Sequence, residues 1–301
     1  MIDIPKYLEQ GDTIGIVATA RKVSREELEP AIKLITAEGF KVKLANNLFE
    51  EDNQFAGTDQ QRAADVMQMV NDGEVKAILC ARGGYGSARI LDYLDYDAIK
   101  AHPKWFCGYS DVTVMHALYN RLGIASLHST MPINFPKDGS ASTSTQSLFN
   151  SLRGTHATLA AEANPLNACG EAEGILVGGN LSLIYSLMAT DLQHDTEKKI
   201  LFIEDLDEYL YHIDRTMLSL KQSGILDQLA GIAVGYLNDM NDNTIPFGKT
   251  AEEIVHEHTQ QLGIPVAFGI PAGHLEPNYA MVFGERYRLS VNESGSLLKI
   301  Q

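Results

Sequence analysis

Lys104-Trp105-Phe106-Cys107-Gly108-Tyr109-Ser110-Asp111, running directly into Val112-Thr113-Val114-Met115-His116-Ala117-Leu118, is the stretch whose reading decides the fold. The apolar run through Cys107 has the length and composition of a buried strand, and the residues after Asp111 read as a helix. Between them lies a sharp turn carrying one serine. A serine so placed is held clear of both flanking elements, with its hydroxyl exposed and the N–H groups of a helix start beside it. The turn has the character of a nucleophile elbow, although Asp111 and Val112 stand where G-x-S-x-G would place a residue and a second glycine. The competing reading of Ser110 is a turn residue or helix cap.

Working outward, strand and helix signals alternate. Asp12–Ala18 is a buried-strand run. Leu28, Ala31, Ile32 and Ile35 follow helical spacing, with Gly39 as the stop and Pro30 expected in the first turn. Lys41–Ala45 is a strand, and Thr58 with Gln61 stands at capping-box spacing. Lys76–Ala81 is a short buried strand, followed by the glycine loop Arg82-Gly83-Gly84-Tyr85-Gly86, a helix over Ser87–Leu94 and, past Ser110, a strand at Ile124–His128. Such alternation predicts an α/β fold with a mostly parallel sheet. Farther on, strands are expected at Gly174–Val177, Ile200–Glu204, Gly231–Tyr236 and Val266–Ile270. Helices are expected at Leu181–Ala189, Tyr209–Ser223 and Thr250–Leu262, and a β-rich end from Ala280. Composition shifts at Pro136–Gln146 and Ala160–Gly170 divide the chain into residues 1–150, a linker at 151–172, and residues 173–301.

The 301 residues carry 24 Lys and Arg against 39 Asp and Glu, a formal net charge of −15. That balance argues against a sequence-independent nucleic-acid binder, which needs a basic face. No apolar run approaches the roughly 20 residues that span a bilayer, so no membrane partner is expected. No signal-peptide pattern stands at the start, and Cys80, Cys107 and Cys169 are odd in number and far apart, so a reducing cytoplasm is the expected location. Cys80 and Cys107, in apolar runs, read as buried small hydrophobes.

A serine nucleophile requires a base, an acid that orients it, and donors for the oxyanion. Of nine histidines, His102, His156 and His194 have polar neighbours, and packing decides the orientation of His116. His256 and His258 are two apart on a helix and are not an H-E-x-x-H pair. No metal ligand cluster is apparent. His274 follows a strand in Gly269-Ile270-Pro271-Ala272-Gly273-His274, a place where reactive groups are displayed. The acid is Glu204 or Asp205, at the carboxyl end of Leu201-Phe202-Ile203, since only one of the two shares the strand's inward face. The glycines of Arg82–Gly86 let backbone N–H groups approach a reacting carbonyl, and Arg82 is a candidate for a substrate carboxylate. The loop matches neither nucleotide-binding glycine pattern.

These pieces resemble the LD-carboxypeptidase family, the muramoyl-tetrapeptide carboxypeptidases. The landmarks are Gly11–Ala18, Phe55–Asp59 with Arg62 and Asp65, Arg82–Gly86, Gly108–Asp111, Gly178–Ser182, Phe202–Asp205 with Asp214-Arg215, and Gly273-His274, in order along nearly the whole chain. The resemblance implies a Rossmann-like (flavodoxin-like) N-terminal domain and a smaller, β-rich C-terminal α/β domain. It implies a cofactor-free, metal-independent serine peptidase with Ser110 as nucleophile, His274 as base and Glu204 as its orienting acid. The N–H groups of Gly84 and Asp111 would form the oxyanion hole. The implied substrate is a murein tetrapeptide in cytoplasmic peptidoglycan recycling, losing its terminal D-alanine from an L,D-bond, and the implied assembly is a homodimer. The chain departs from the family pattern at Ala18-Thr19-Ala20-Arg21, where Pro-Ser is usual, and at His128-Ser129-Thr130-Met131-Pro132, where His-Gly-Pro-Met is expected.

Two other readings compete. Microcin C immunity peptidases share the resemblance and cleave aminoacyl-nucleotide analogues, using an aromatic ring to stack the base. The only tryptophan here, Trp105, is expected in the core instead. A non-catalytic peptide-binding module would keep the cleft without the Ser, Glu and His set.

Overall fold

The computed structural model describes residues 2–301, which form two compact units. The first comprises the chain up to His156 together with Tyr279–Val282, and the second comprises Ala157–Asn278 and Phe283–Gln301.

In the first unit, β1 (Thr13–Val17), α1 (Arg25–Ala37), β2 (Lys41–Leu44), α2 (Asp59–Asn71), β3 (Val75–Cys80), α3 (Tyr96–Ala101), β4 (Trp105–Gly108), α4 (Thr113–Arg121) and β5 (Ser126–His128) alternate, and α5 (Thr143–Leu152) follows. The five strands pair in parallel in the order β5-β4-β3-β1-β2. Both β1 and β4 are buried along their full length, which is why their sequences are continuous apolar runs. The order is that of a flavodoxin-like sheet, in which the chain leaves β1 toward one edge and β3 toward the other.

Helix starts follow local chemistry. Ser24 and Glu27 form a capping box on α1, and Thr58 and Gln61 form the expected one on α2. Pro30 differs from expectation: α1 begins at Arg25, so the proline stands in its second turn, where its missing N–H leaves Glu26 without a helical donor. Ser87–Tyr93 is a 3₁₀ segment, not an α-helix. The Ser/Thr-rich stretch 136–146 contains the start of α5, because Ser142 caps it and its buried face carries Leu148, Phe149 and Leu152.

The second unit holds β6 (Leu159–Glu162), β7 (Gly170–Asn180), α6 (Leu181–Ser186), β8 (Ile200–Leu206), α7 (Leu210–Gln222), β9 (Gly231–Asn238), α8 (Ala251–Thr259) and β10 (Val266–Phe268). After β11 (Met281–Phe283), which lies next to β5, come β12 (Arg286–Asn292) and β13 (Gly295–Ile300). One seven-stranded sheet runs β10-β9-β8-β7-β12-β13-β6. It is parallel from β10 to β7 and antiparallel from β7 to β6. Residues 151–172, expected as linker, thus contain β6 and the first residues of β7. The apolar faces of α6, α7 and α8 cover the parallel half through Leu181, Ile184, Ile213, Met217, Ile254 and Val255.

Candidate active site

Ser110 sits two residues beyond β4, with φ of 61°. That left-handed conformation costs a non-glycine residue about 1–2 kcal/mol. It turns the chain so sharply that the hydroxyl stands outside both the strand and the 3₁₀ turn Ser110–Val112 that leads into α4. Ser110 is half-buried in an otherwise buried stretch.

A polar network holds the glycine loop against this turn. The Asp111 carboxylate accepts the Ser87 N–H at 2.8 Å, and the Ser87 hydroxyl lies 2.7 Å from that of Thr19, just past β1. Burial pushes the Asp111 carboxyl above its usual range. Gly83 packs on Ser110 so closely that a Cβ there would lie 3.4 Å from the serine Cβ and 3.5 Å from Oγ. Among the described residues, neither the Gly84 nor the Asp111 N–H reaches a backbone acceptor. Gly84, with φ of 108°, is exposed.

In the second unit, β8 delivers Glu204, which is fully buried, and its Oε2 accepts from His274 Nδ1 at 2.6 Å. A β-bulge lies on the neighbouring strand opposite Glu204. Ile203 pairs with Val234 and Asp205 with Leu237, so β9 spends one extra residue across Gly235-Tyr236. The Tyr236 N–H then bonds the Ala272 carbonyl at 3.0 Å, while a Cβ on Gly235 would meet that oxygen at 2.5 Å. The Gly273 N–H donates to Asn278 Oδ1, which fixes the other side of the histidine loop.

The two acids have different partners. Glu204 faces His274, whereas Asp205 accepts from Asn180 Nδ2 (2.7 Å) and from the Ser182 N–H and hydroxyl (2.9 and 2.8 Å). Burial, with the Glu204 charge beside it, raises the Asp205 carboxyl to about 6. Burial on its own would lower the His274 imidazole, but the Glu204 carboxylate, by charge and hydrogen bond, outweighs it and holds His274 above its ordinary value. The carboxylate fixes Nδ1 as the ring nitrogen that faces it.

Three other histidines are held by hydrogen bonds elsewhere. His116 is fully buried between Ser126 Oγ and the Gly108 carbonyl, and burial lowers it to about 4. His256 bonds the Leu166 carbonyl, and His258 bonds Asp214. Cys80 and Cys107 are buried, and Trp105 is fully buried with its indole N–H on the Lys6 carbonyl. Arg82, expected to meet a substrate carboxylate, bonds the Lys22 carbonyl at 3.2 Å and pairs with Glu27 at 3.7 Å. Among the described residues no three His, Cys, Asp or Glu side chains gather as metal ligands, and no helix is long and apolar enough to cross a membrane. The bracing by Asn180, Ser182 and the β9 bulge was not foreseen. The only trace of the bulge in the sequence is Gly235 inside an otherwise β-forming run.

A serine on a strained turn beside a glycine loop and, in the other unit, an imidazole locked on a buried carboxylate are features of the kind serine hydrolases use. Comparison with known proteins is specific. The LD-carboxypeptidase N-terminal domain matches residues 14–129 and the LD-carboxypeptidase C-terminal domain residues 173–289. A probable murein peptide carboxypeptidase of Bacillus subtilis (strain 168) is 35% identical, over 98% of this chain and 94% of that protein. The crystal structure of a muramoyltetrapeptide carboxypeptidase from Oxalobacter formigenes superposes with a TM-score of 0.88 at 26% identity, covering 96% of this chain and 98% of the other. MccF, solved in complex with glutamyl sulfamoyl guanosine, shares the fold with a TM-score of 0.86 at 21% identity, over 100% of this chain and 98% of its own. The chain belongs to the LD-carboxypeptidase family. It is a serine-type carboxypeptidase, which removes the reading as a non-catalytic binding module.

Proposed function

We propose that this carboxypeptidase hydrolyses the L,D-peptide bond to the terminal D-alanine of murein tetrapeptides, in cytoplasmic peptidoglycan recycling and as a homodimer. Ser110 is the nucleophile, His274 the general base and Glu204 the group that orients it. The observation that carries the chemistry is the buried 2.6 Å bond between His274 and Glu204. It fixes one tautomer and favours the imidazolium that forms as the serine proton is taken. Likeness to a murein peptide carboxypeptidase over 98% of the chain supports the choice of substrate.

In the first step the Ser110 oxygen attacks the scissile carbonyl carbon and its proton passes to His274 Nε2. The oxyanion is received by the N–H groups of Gly84 and Asp111, each worth about 3–4 kcal/mol in such a role. Collapse breaks the C–N bond, His274 returns the proton to the departing D-alanine amine, and the acyl group remains on Ser110. A water molecule, deprotonated by His274, then releases the shortened peptide.

The test is mass-spectrometric assay of an L,D-tetrapeptide and its all-L counterpart. Release of D-alanine from the first alone is expected, and equal cleavage of both would refute the assignment of substrate. The microcin-type alternative retains one supporting feature, the exposed Tyr85 ring 6.2 Å from Phe55 beside the glycine loop. An aminoacyl sulfamoyl nucleoside in the same assay separates the two, because only the alternative predicts its preferential hydrolysis.

A further inference from the structure

The carboxyl ends of β1 and β3 flank the point where this sheet reverses direction, the place where open α/β sheets bind their ligands. Two loops leave from there. One carries Arg21, in the segment where the chain departs from its family's pattern, and the other is the glycine loop. Arg21 is exposed, yet its side chain lies on Gly84: a Cβ built on that glycine would meet Arg21 Cδ at 2.5 Å and Nε at 2.7 Å. Gly84 therefore has two reasons to lack a side chain, its φ of 108° and the guanidinium stem resting on it.

The neighbouring cations are occupied. Arg62 bonds Asp59 and the Gly57 carbonyl, Arg89 bonds both Asp59 oxygens, Lys22 bonds Glu51, and Arg82 is held by Lys22 and Glu27. Among the described residues Arg21 makes no side-chain hydrogen bond or ion pair, in a chain with a net charge of −15. A free guanidinium beside a hydrolytic serine's glycine loop is a receptor for an anion of the substrate.

We propose that Arg21, not Arg82, receives the α-carboxylate of the departing D-amino acid and so makes the enzyme an exopeptidase. The inference rests on the carboxypeptidase reading and on Gly84 as an oxyanion donor. Consecutive Cα atoms are about 3.8 Å apart. With the scissile carbonyl at Gly84, the terminal carboxylate therefore lies within one residue's length, inside the reach of a side chain stretched across that glycine. A peptide continuing past this position would offer no charge there.

The experiment compares an L,D-tetrapeptide acid with its C-terminal amide. Binding is measured by calorimetry to Ser110→Ala and Ser110→Ala/Arg21→Ala proteins, and turnover by mass spectrometry with Ser110 intact. Loss of one charge-assisted contact predicts that Arg21→Ala weakens binding of the acid and raises its KM by about 10- to 100-fold. The kcat should change less, binding of the amide should hardly change, and Arg21→Lys should recover part of the acid preference. Persistence of the acid preference in Arg21→Ala overturns the proposal, as does its loss in Arg82→Ala alone or its absence from the Ser110→Ala protein. Because the binding arm needs no turnover, failure of the carboxypeptidase reading (no D-alanine released by the intact enzyme) is distinguishable from failure of the Arg21 assignment. Circular dichroism and Tm of each variant confirm folding, as expected for an exposed side chain.

Discussion

Replacing Glu204 by glutamine keeps the size of the side chain and removes its charge, which isolates what the carboxylate does for His274. A hydrogen bond with a charged partner is worth about 1.5–3 kcal/mol. The attraction between carboxylate and imidazolium about 4 Å apart amounts to about 4 kcal/mol at an effective dielectric of 20. The two figures describe overlapping parts of one interaction, so about 3–5 kcal/mol of transition-state stabilisation is at stake, or roughly a 10²- to 10⁴-fold fall in kcat. Glutamine also brings an NH₂ group into a fully buried position where Oε1 of the glutamate has no hydrogen-bond partner among the described residues. Leaving a donor unmatched there costs about 1–3 kcal/mol of stability, so thermal unfolding must accompany the kinetics.

The pH profile distinguishes this role from a merely structural one. His274 stands above its ordinary pKa because of Glu204, and the base must be neutral to accept the serine proton. In the wild type the rise of kcat/KM with pH therefore tracks a raised pKa. In Glu204→Gln the charge that favours imidazolium is gone, burial remains, and the rise must move to lower pH. D-alanine release measured from pH 4 to 9 reads both effects. A variant with kcat within tenfold of wild type, or with an unmoved acid limb, refutes the reasoning.

Ser110→Ala should abolish turnover while preserving the fold. Ser110→Gly should do the same and raise stability by up to about 1 kcal/mol in chemical denaturation, since glycine adopts φ of 61° without strain. Asp205 has its pKa raised to about 6, so the folded state holds the proton more tightly than the unfolded chain does. Its contribution is complete below about pH 4 and is lost as pH rises through about 6, an effect of about 3 kcal/mol. Asp205→Asn should flatten stability against pH in that window, as seen in denaturant midpoints from pH 3.5 to 7. Peptidase activity should persist in EDTA, and a loss reversed by added zinc would contradict the serine mechanism.

The parts legible in the sequence were those written in local chemistry. Apolar runs such as Thr13–Val17 and Trp105–Gly108 announce buried parallel strands because both faces of such a strand are covered. Thr58 and Gln61 announce a helix start because they satisfy its free N–H groups reciprocally. The choice between Glu204 and Asp205 was not legible, because alternation along a strand says that the two point apart and not which way. The partners each acid finds come from other elements, His274 for Glu204 and Asn180 and Ser182 for Asp205. Arg82 and Arg21 show the same limit from the other side. Arg82 stands within the glycine loop and Arg21 on the loop before it, and the sequence alone favours the residue within the loop. In three dimensions Glu27 and the Lys22 carbonyl hold Arg82. The charge left free stands on the preceding crossover, a placement that follows from the order of strands in the sheet and that no local motif encodes.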